Sequence, residues 1–414
     1  MAHYFETLQD LGRYAETNRI VVDPGLDLWS FSAVAEEGAR YFEQQPELRR
    51  VVGFIARQIG SVNLNLYSWD ENGNRERLYP THHAASRFLE RPAGDDPRVA
   101  TTAMGLKTSL LLDGLIYDRY CALMSYDERT GLPSSMVRLP ASRVKFHGKA
   151  GVVDGVTYHR EDGQVVEFEG KKLELLFYNV GYTPHTGANG SSPLKSIREL
   201  LDGSTEAYSY RKDLLNRAAR LSGVIQHPGT MTDKAYERLQ SSWREFSRGG
   251  ARAGSEPILE EGATYSQVKP ISVDDVLDLD GRRLSAEEVA TMYWIYPELL
   301  GLREGTNSNM EALKQALWTI CLDPYVEEWK QSWDRMVRQQ FRTQNKYVDA
   351  DLTPKLMGSF KDEAEATTKL VGRPTYTVNE IRARRNDAPI EGGDELIVPL
   401  NVTQGGQAAL NSGE

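Results

Sequence analysis

The chain has 414 residues and a formal net charge of −10, with 40% hydrophobic and 26% charged residues. That composition excludes a disordered chain. The acidic balance excludes tight wrapping of nucleic acid, whose phosphates are gripped mainly by Lys and Arg.

The length predicts more than one lobe. No apolar run reaches bilayer length, and the opening MAHYFETLQDLGRYAETNR lacks the basic start and apolar core of a secretory signal. Two cysteines far apart in sequence, Cys121 and Cys321, fit a reducing compartment and are expected to be buried. In chain order, a helix fits ELRRVVGFIARQIG, with Val51, Phe54, Ile55 and Ile59 on one face. It runs into SVNLNLYSW, which alternates as a half-buried strand, and DENGN reads as a turn. His82 and His83 read as a solvated loop, and a second long helix is predicted over residues 97–116. YDRYCALMSY, SSMVRLP, RVKFHG, GVTYHR, QVVEFEG and LELLFYNV then read as antiparallel strands, so this half is α+β.

From residue 191 the pattern becomes helical. Ser192 and Pro193 predict a helix start, followed by an apolar stripe to about Leu221 that Gly203 is expected to bend. GVIQHPG is a strand and turn, MTDKAYERLQSSWREFSR a helix, and EPILEEGATYSQVKP a hairpin turning at Glu261-Gly262. Residues 222–270 therefore form a small β-α-β-β module between two helices, the second being SVDDVLDLDGRRLSAEEVATMYWIY. A glycine loop follows. A long helix then runs from Asn309 to about Arg342, kinked at Pro324, with Leu313, Leu317, Ile320, Trp329 and Trp333 on its stripe.

The loop at Gly301 and Gly305 is no Walker A motif, because its glycines stand too close together and no lysine follows. Asp278, Asp280, Gly281 and Glu287 imitate a calcium loop, but Val276 stands where the first carboxylate belongs. No histidine cluster has metal spacing, and no G-x-S-x-G elbow is present. The motifs thus yield no catalytic residue, no cofactor and no metal. Trp294, Trp318, Trp329 and Trp333 read as core at helical spacing, with base stacking as the alternative. Arg244, Arg248 and Arg252 form either a solvated face or a docking surface for an acidic partner or phosphates.

Several pieces, in this order, resemble the portal protein family of tailed bacteriophages, of the siphophage type. NGSSPL is similar to that family's G-x-S-P-L helix start, and EPILEEGATYSQV to its L-E-x-G-x-x-Y hairpin. DVLDLDGRRLSAEEVATMYWIYPELLG is similar to D-x-x-x-L-x-x-R, E-I-A and V-P-x-x-L-L-G, although the V-P-P stretch is Tyr296-Pro297-Glu298 here. Asn309-Met310-Glu311 keeps the family's N-x-E, and TVNEIRARRNDAPIEGGDE resembles T-x-N-E followed by P-I-x-G-G-D.

The resemblance implies an α+β portal fold: an N-terminal arm (1–48), an α/β wing (49–192), a two-helix stem (193–221 and 271–300) and a clip (222–270). It further implies a tunnel loop (301–309), a long kinked helix with more of the wing (310–345), a short helical crown (346–400) and a disordered tail (401–414). It implies a non-enzymatic ring of about twelve copies of the chain. The ring would sit at one vertex of the capsid in the virion, after assembly in the host cytoplasm. Double-stranded DNA would pass through its channel. The implied partners are the terminase large subunit, head-completion adaptors, tail proteins and the major capsid protein, with no membrane. The tunnel loop would present Leu302, Arg303, Glu304, Gly305, Thr306, Asn307, Ser308 and Asn309 to DNA, with Arg303 as the phosphate contact. Arg244, Arg248 and Arg252 would lie near the clip's docking surface. The alternatives are a minor capsid or scaffold protein without a channel, and an enzyme with an Asp/Glu site assembled in the fold.

Overall fold

The computed structural model describes residues 37–69, 75–96, 100–149, 152–184, 188–218, 223–247, 263–267, 279–303, 307–343, 345–356, 376–384 and 390–396. They fall into two compact units, Met1–Asp349 and Ala350–Glu414. The arm before residue 37, the DENGN turn and the tail 401–414 lie outside the described residues.

Helix α1 (Pro46–Gly60) buries Leu48, Val51, Val52, Ile55 and Ile59, and places its proline in the first turn, where no backbone donor is needed. Strand β1 (Asn63–Trp69) buries Leu64 and Leu66 and pairs antiparallel with β2 (Arg75–Leu78). Helix α2 (Ala84–Glu90) has no counterpart in the sequence reading. His83 caps it, accepting from the Ala85 N–H at 3.1 Å, so this histidine is a partly buried structural residue. Burial, helped by Lys346, lowers its pKa. Helix α3 (Ala103–Tyr117) starts later than Pro97, because Thr102 Oγ1 accepts from Gly105 N at 3.0 Å and begins the helix there.

The predicted strands are present, as two three-stranded antiparallel sheets. One has the order β4 (Pro133–Leu139), β3 (Arg119–Tyr126), β8 (Leu176–Val180); the other runs β5 (Val144–Lys149), β6 (Val152–His159), β7 (Val165–Glu169). Cys121, Leu123, Leu139, Phe146, Val156, Phe168 and Leu176 come from all six strands and form one core. Both cysteines are free and buried, as expected.

Residues Pro193–Lys195 form a 3-10 turn, and helix α4 (Arg198–Ala218) begins only after it. Gly203 does not end α4. In the next module β9 (Gly223–Gln226) pairs antiparallel with β10 (Thr264–Gln267), with α5 (Asp233–Ser247) between them in sequence. The Glu261-Gly262 turn lies outside the described residues. Helix α6 (Leu279–Met292) leads into the glycine loop, and α7 (Asn307–Ala316) and α8 (Asp323–Phe341) follow. The predicted long helix is broken ahead of Pro324, by a π turn at Leu317–Cys321, and the proline sits in the first turn of α8. The wider turn shifts the helical phase, which leaves Ile320 exposed while Leu317, Trp318 and Cys321 are buried. Strand β11 (Lys346–Asp351) begins beside β1, where Tyr347 stacks on Trp69 at 5.3 Å.

In the second unit, α9 (Thr353–Leu356) and α10 (Val378–Arg384) are described. A reciprocal cap starts α10: Thr377 N donates to Glu380 Oε2 at 2.8 Å, and Glu380 N to Thr377 Oγ1 at 3.1 Å. Asn379 then closes the following turn. Its amide donates to Ile390 O at 3.0 Å and Asp394 Oδ1 at 2.9 Å, and its oxygen accepts from Ile390 N at 2.9 Å. A Cβ on Gly393 would collide with the Asn379 side chain. The T-x-N-E and P-I-x-G-G-D pieces are thus two halves of one hydrogen-bonded turn.

Candidate functional site

The glycine loop leaves α6 through a tightly defined exit. Trp294 N donates to Thr291 O at 3.0 Å and Ile295 N to Ala290 O at 2.9 Å, the paired bonds of a Schellman ending. Such an ending puts its reversing residue in the left-handed region, usually as glycine. Here it is Trp294, with φ of 60°, and Ile295 beyond it is buried. Trp294 is 78% exposed, so the expectation that it packs in the core is corrected. A helix terminus turned the side chain off the stripe. Trp329 and Trp333 are core as expected, in T-shaped contact at 5.5 Å, and Trp318 is buried.

Two carbonyls at the end of α3 receive donors from distant parts of the chain. Leu115 O accepts from the Tyr293 hydroxyl at 2.9 Å, and Ile116 O from Ser192 Oγ at 2.5 Å. Helix ends leave such groups without intrahelical partners. Here they anchor the chain just before α4 and just after α6. Both helices are therefore rooted on the same helix end.

Beyond that root, Pro297–Leu300 forms a 3-10 turn, Gly301 reverses the chain at φ 71°, and Leu302 N donates to Pro297 O at 3.0 Å. Arg303 folds back onto α6. Its Nε lies 2.9 Å from Glu287 Oε1 and its Nη2 2.5 Å from Glu287 Oε2, with Glu298 at 4.0 Å. The Glu287 hydrogen bonds raise the Arg303 pKa further. The Arg303 side chain is half exposed, whereas that of Glu287 is only 9% exposed.

Of the predicted loop residues, Leu302 and Arg303 therefore lie in this ordered root. Glu304, Gly305 and Thr306 lie outside the described residues. Asn307, Ser308 and Asn309 are not loop but the first turn of α7, two residues earlier than the expected start at Asn309. Arg244 is on α5, while Arg248 and Arg252 lie outside the described residues. Glu287, noticed in the sequence only as an imitation calcium ligand, is the partner that sequence reasoning missed; a separation of 16 residues is no helical spacing. Among the described residues no His/Cys/Asp/Glu group could hold a metal ion, and no helix is long and apolar enough to cross a membrane.

The chain is similar to known proteins along most of its length. It is 25% identical over 275 residues to a probable portal protein of Streptomyces phage phiC31, a match spanning 64% of this chain and 60% of that relative's length. It is 25% identical over 354 residues to an uncharacterized protein of Rickettsia bellii (strain RML369-C), covering 84% of this chain and 88% of the other. Its fold is similar to a chain in the neck of a native gene transfer agent particle computed with C12 symmetry, with a TM-score of 0.61 and 20% identity. That match covers 92% of this chain and 98% of the other. Residues 46–386 match the family described as Phage portal protein, and the chain belongs to that family.

Proposed function

We propose that this protein forms a ring of identical subunits at one vertex of a phage-type capsid, the head-tail connector through which double-stranded DNA enters and leaves. The family match over residues 46–386 carries this reading. The neck chain solved with C12 symmetry supports a ring of about twelve copies. The net charge of −10 per chain suits passage, because a duplex sticks only where many Lys and Arg meet its phosphates.

In this reading residues 49–192 are the wing, α4 and α6 the stem, and 222–270 the clip. The tunnel loop is the connection from Gly301 to the start of α7 at Asn307, and the short crown follows β11. The ring is structural and supplies no energy. A terminase motor drives packaging from the clip side, and adaptors and tail proteins replace it later, with Arg244, Arg248 and Arg252 near that surface. The protein ends in the virion after assembly in the host cytoplasm, in contact with the major capsid protein. Residues Leu302 to Asn309 face the DNA. Deleting 303–307 is expected to alter packaging or DNA retention. Unchanged packaging, retention and channel width would remove the loop assignment.

A further inference from the structure

We infer that Glu287 is a positioning residue for the channel loop, acting through Arg303. This rests on the channel reading of the loop. It also changes the role of Arg303, which becomes the clamp at the root of the loop and not a phosphate ligand.

Glu287 stands on α6, its carboxylate nearly closed off from water, between the buried residues Ala286 and Val289. A carboxylate in that position needs a matched partner, since a buried charge left alone is costly. The guanidinium of Arg303 supplies it through two nearly parallel hydrogen bonds, an arrangement that fixes orientation as well as distance. The fork binds 16 residues along the chain, so it sets where the segment after Gly301 emerges relative to α6. The other side of the root is set independently, by Tyr293 on Leu115, and the bond from Leu302 N to Pro297 O closes the turn between the two.

The chain is thus held on both sides of the Pro297–Leu300 turn, one side by a buried hydroxyl and the other by an ion pair. A phosphate that approached Arg303 would compete with a two-point carboxylate contact, and with Glu298 beside it. The positive charge at the loop entry is therefore already neutralised. DNA meets a positioned, weakly interacting segment, and a pull on the loop is resisted by α6.

The test uses the full chain assembled into particles, comparing DNA packaged and DNA retained at matched ring yield. Glu287→Gln keeps the size of residue 287 and removes the carboxylate that the fork grips, leaving only Glu298 at 4.0 Å beside Arg303. Arg303→Lys keeps the charge and loses the fork. Positioning predicts that both variants lose retained DNA by about tenfold. The result that overturns it is Arg303→Lys at the wild-type level together with Glu287→Gln at or above it, as a direct phosphate contact requires. Either variant alone at the wild-type level also overturns it. Deleting 304–306 separates the two readings. If that deletion abolishes retention while the point variants do not, only the Glu287 assignment fails. If the deletion too leaves packaging and retention unchanged, the channel reading falls and the clamp's role falls with it.

Discussion

The Tyr293 hydroxyl donates to the Leu115 carbonyl at 2.9 Å in a buried contact, tying the exit of α6 to the end of α3. Tyr293→Phe keeps the ring and removes only that bond. The Leu115 carbonyl then loses its donor, and the subunit should lose about 1–2 kcal/mol. Urea unfolding of the unassembled chain measures it. No change in midpoint would show that the bond does not hold the root.

The tryptophans should separate sharply. Trp329 is 2% exposed and packs edge-on against Tyr120 at 5.4 Å, so Trp329→Ala should cost about 3–5 kcal/mol. Trp294 is exposed and holds a left-handed backbone that disfavours any side chain. Trp294→Gly should be neutral or stabilise the unassembled chain by about 1 kcal/mol. Calorimetry on both variants checks the contrast, and a large loss in Trp294→Gly would contradict it.

Lys107 is 6% exposed, with its ammonium 5.8 Å from the Trp333 ring, and burial lowers its pKa to about 8. The folded lysine deprotonates near pH 8 and the unfolded one near 10.5. Between those values the unfolded chain binds more protons, so stability from this group rises with pH across that window. Lys107→Met should therefore stabilise the chain by about 2–3 kcal/mol at pH 7. The gain should shrink as pH rises from 8 towards 10. A gain that does not change with pH would exclude charge burial as its cause.

In the second unit, Asn379→Ala removes three hydrogen bonds that close the turn at Ile390 and Asp394. Amide exchange at Ile390 should speed up by about tenfold or more, with the first unit unaffected. Unchanged protection there would show that the turn holds without Asn379.

Much of the fold was legible because its periodicity is local. The strands from Arg119 to Val180 alternate or run apolar as sheet requires, and all are present. The T-x-N-E start of α10 was legible as a pattern, and its capping bonds explain it. The misses share one cause, which is that helix ends are set by single contacts. Thr102 begins α3 after Pro97, and a π turn ends α7 before Pro324. Trp294 fills a reversal that glycine normally marks, so the apolar stripe in the sequence runs on past the true end of α6. The Arg303–Glu287 clamp was hidden for a different reason: it forms only when the chain folds back across its own turn.

The most direct test of the central claim is electron cryo-microscopy of assembled particles containing this protein. The expected result is a closed ring of about twelve copies at one vertex, with the α6–α7 connection facing the narrowest part of a DNA-filled channel. A particle without such a ring, or a ring with Arg303 on its outer rim away from DNA, would contradict it.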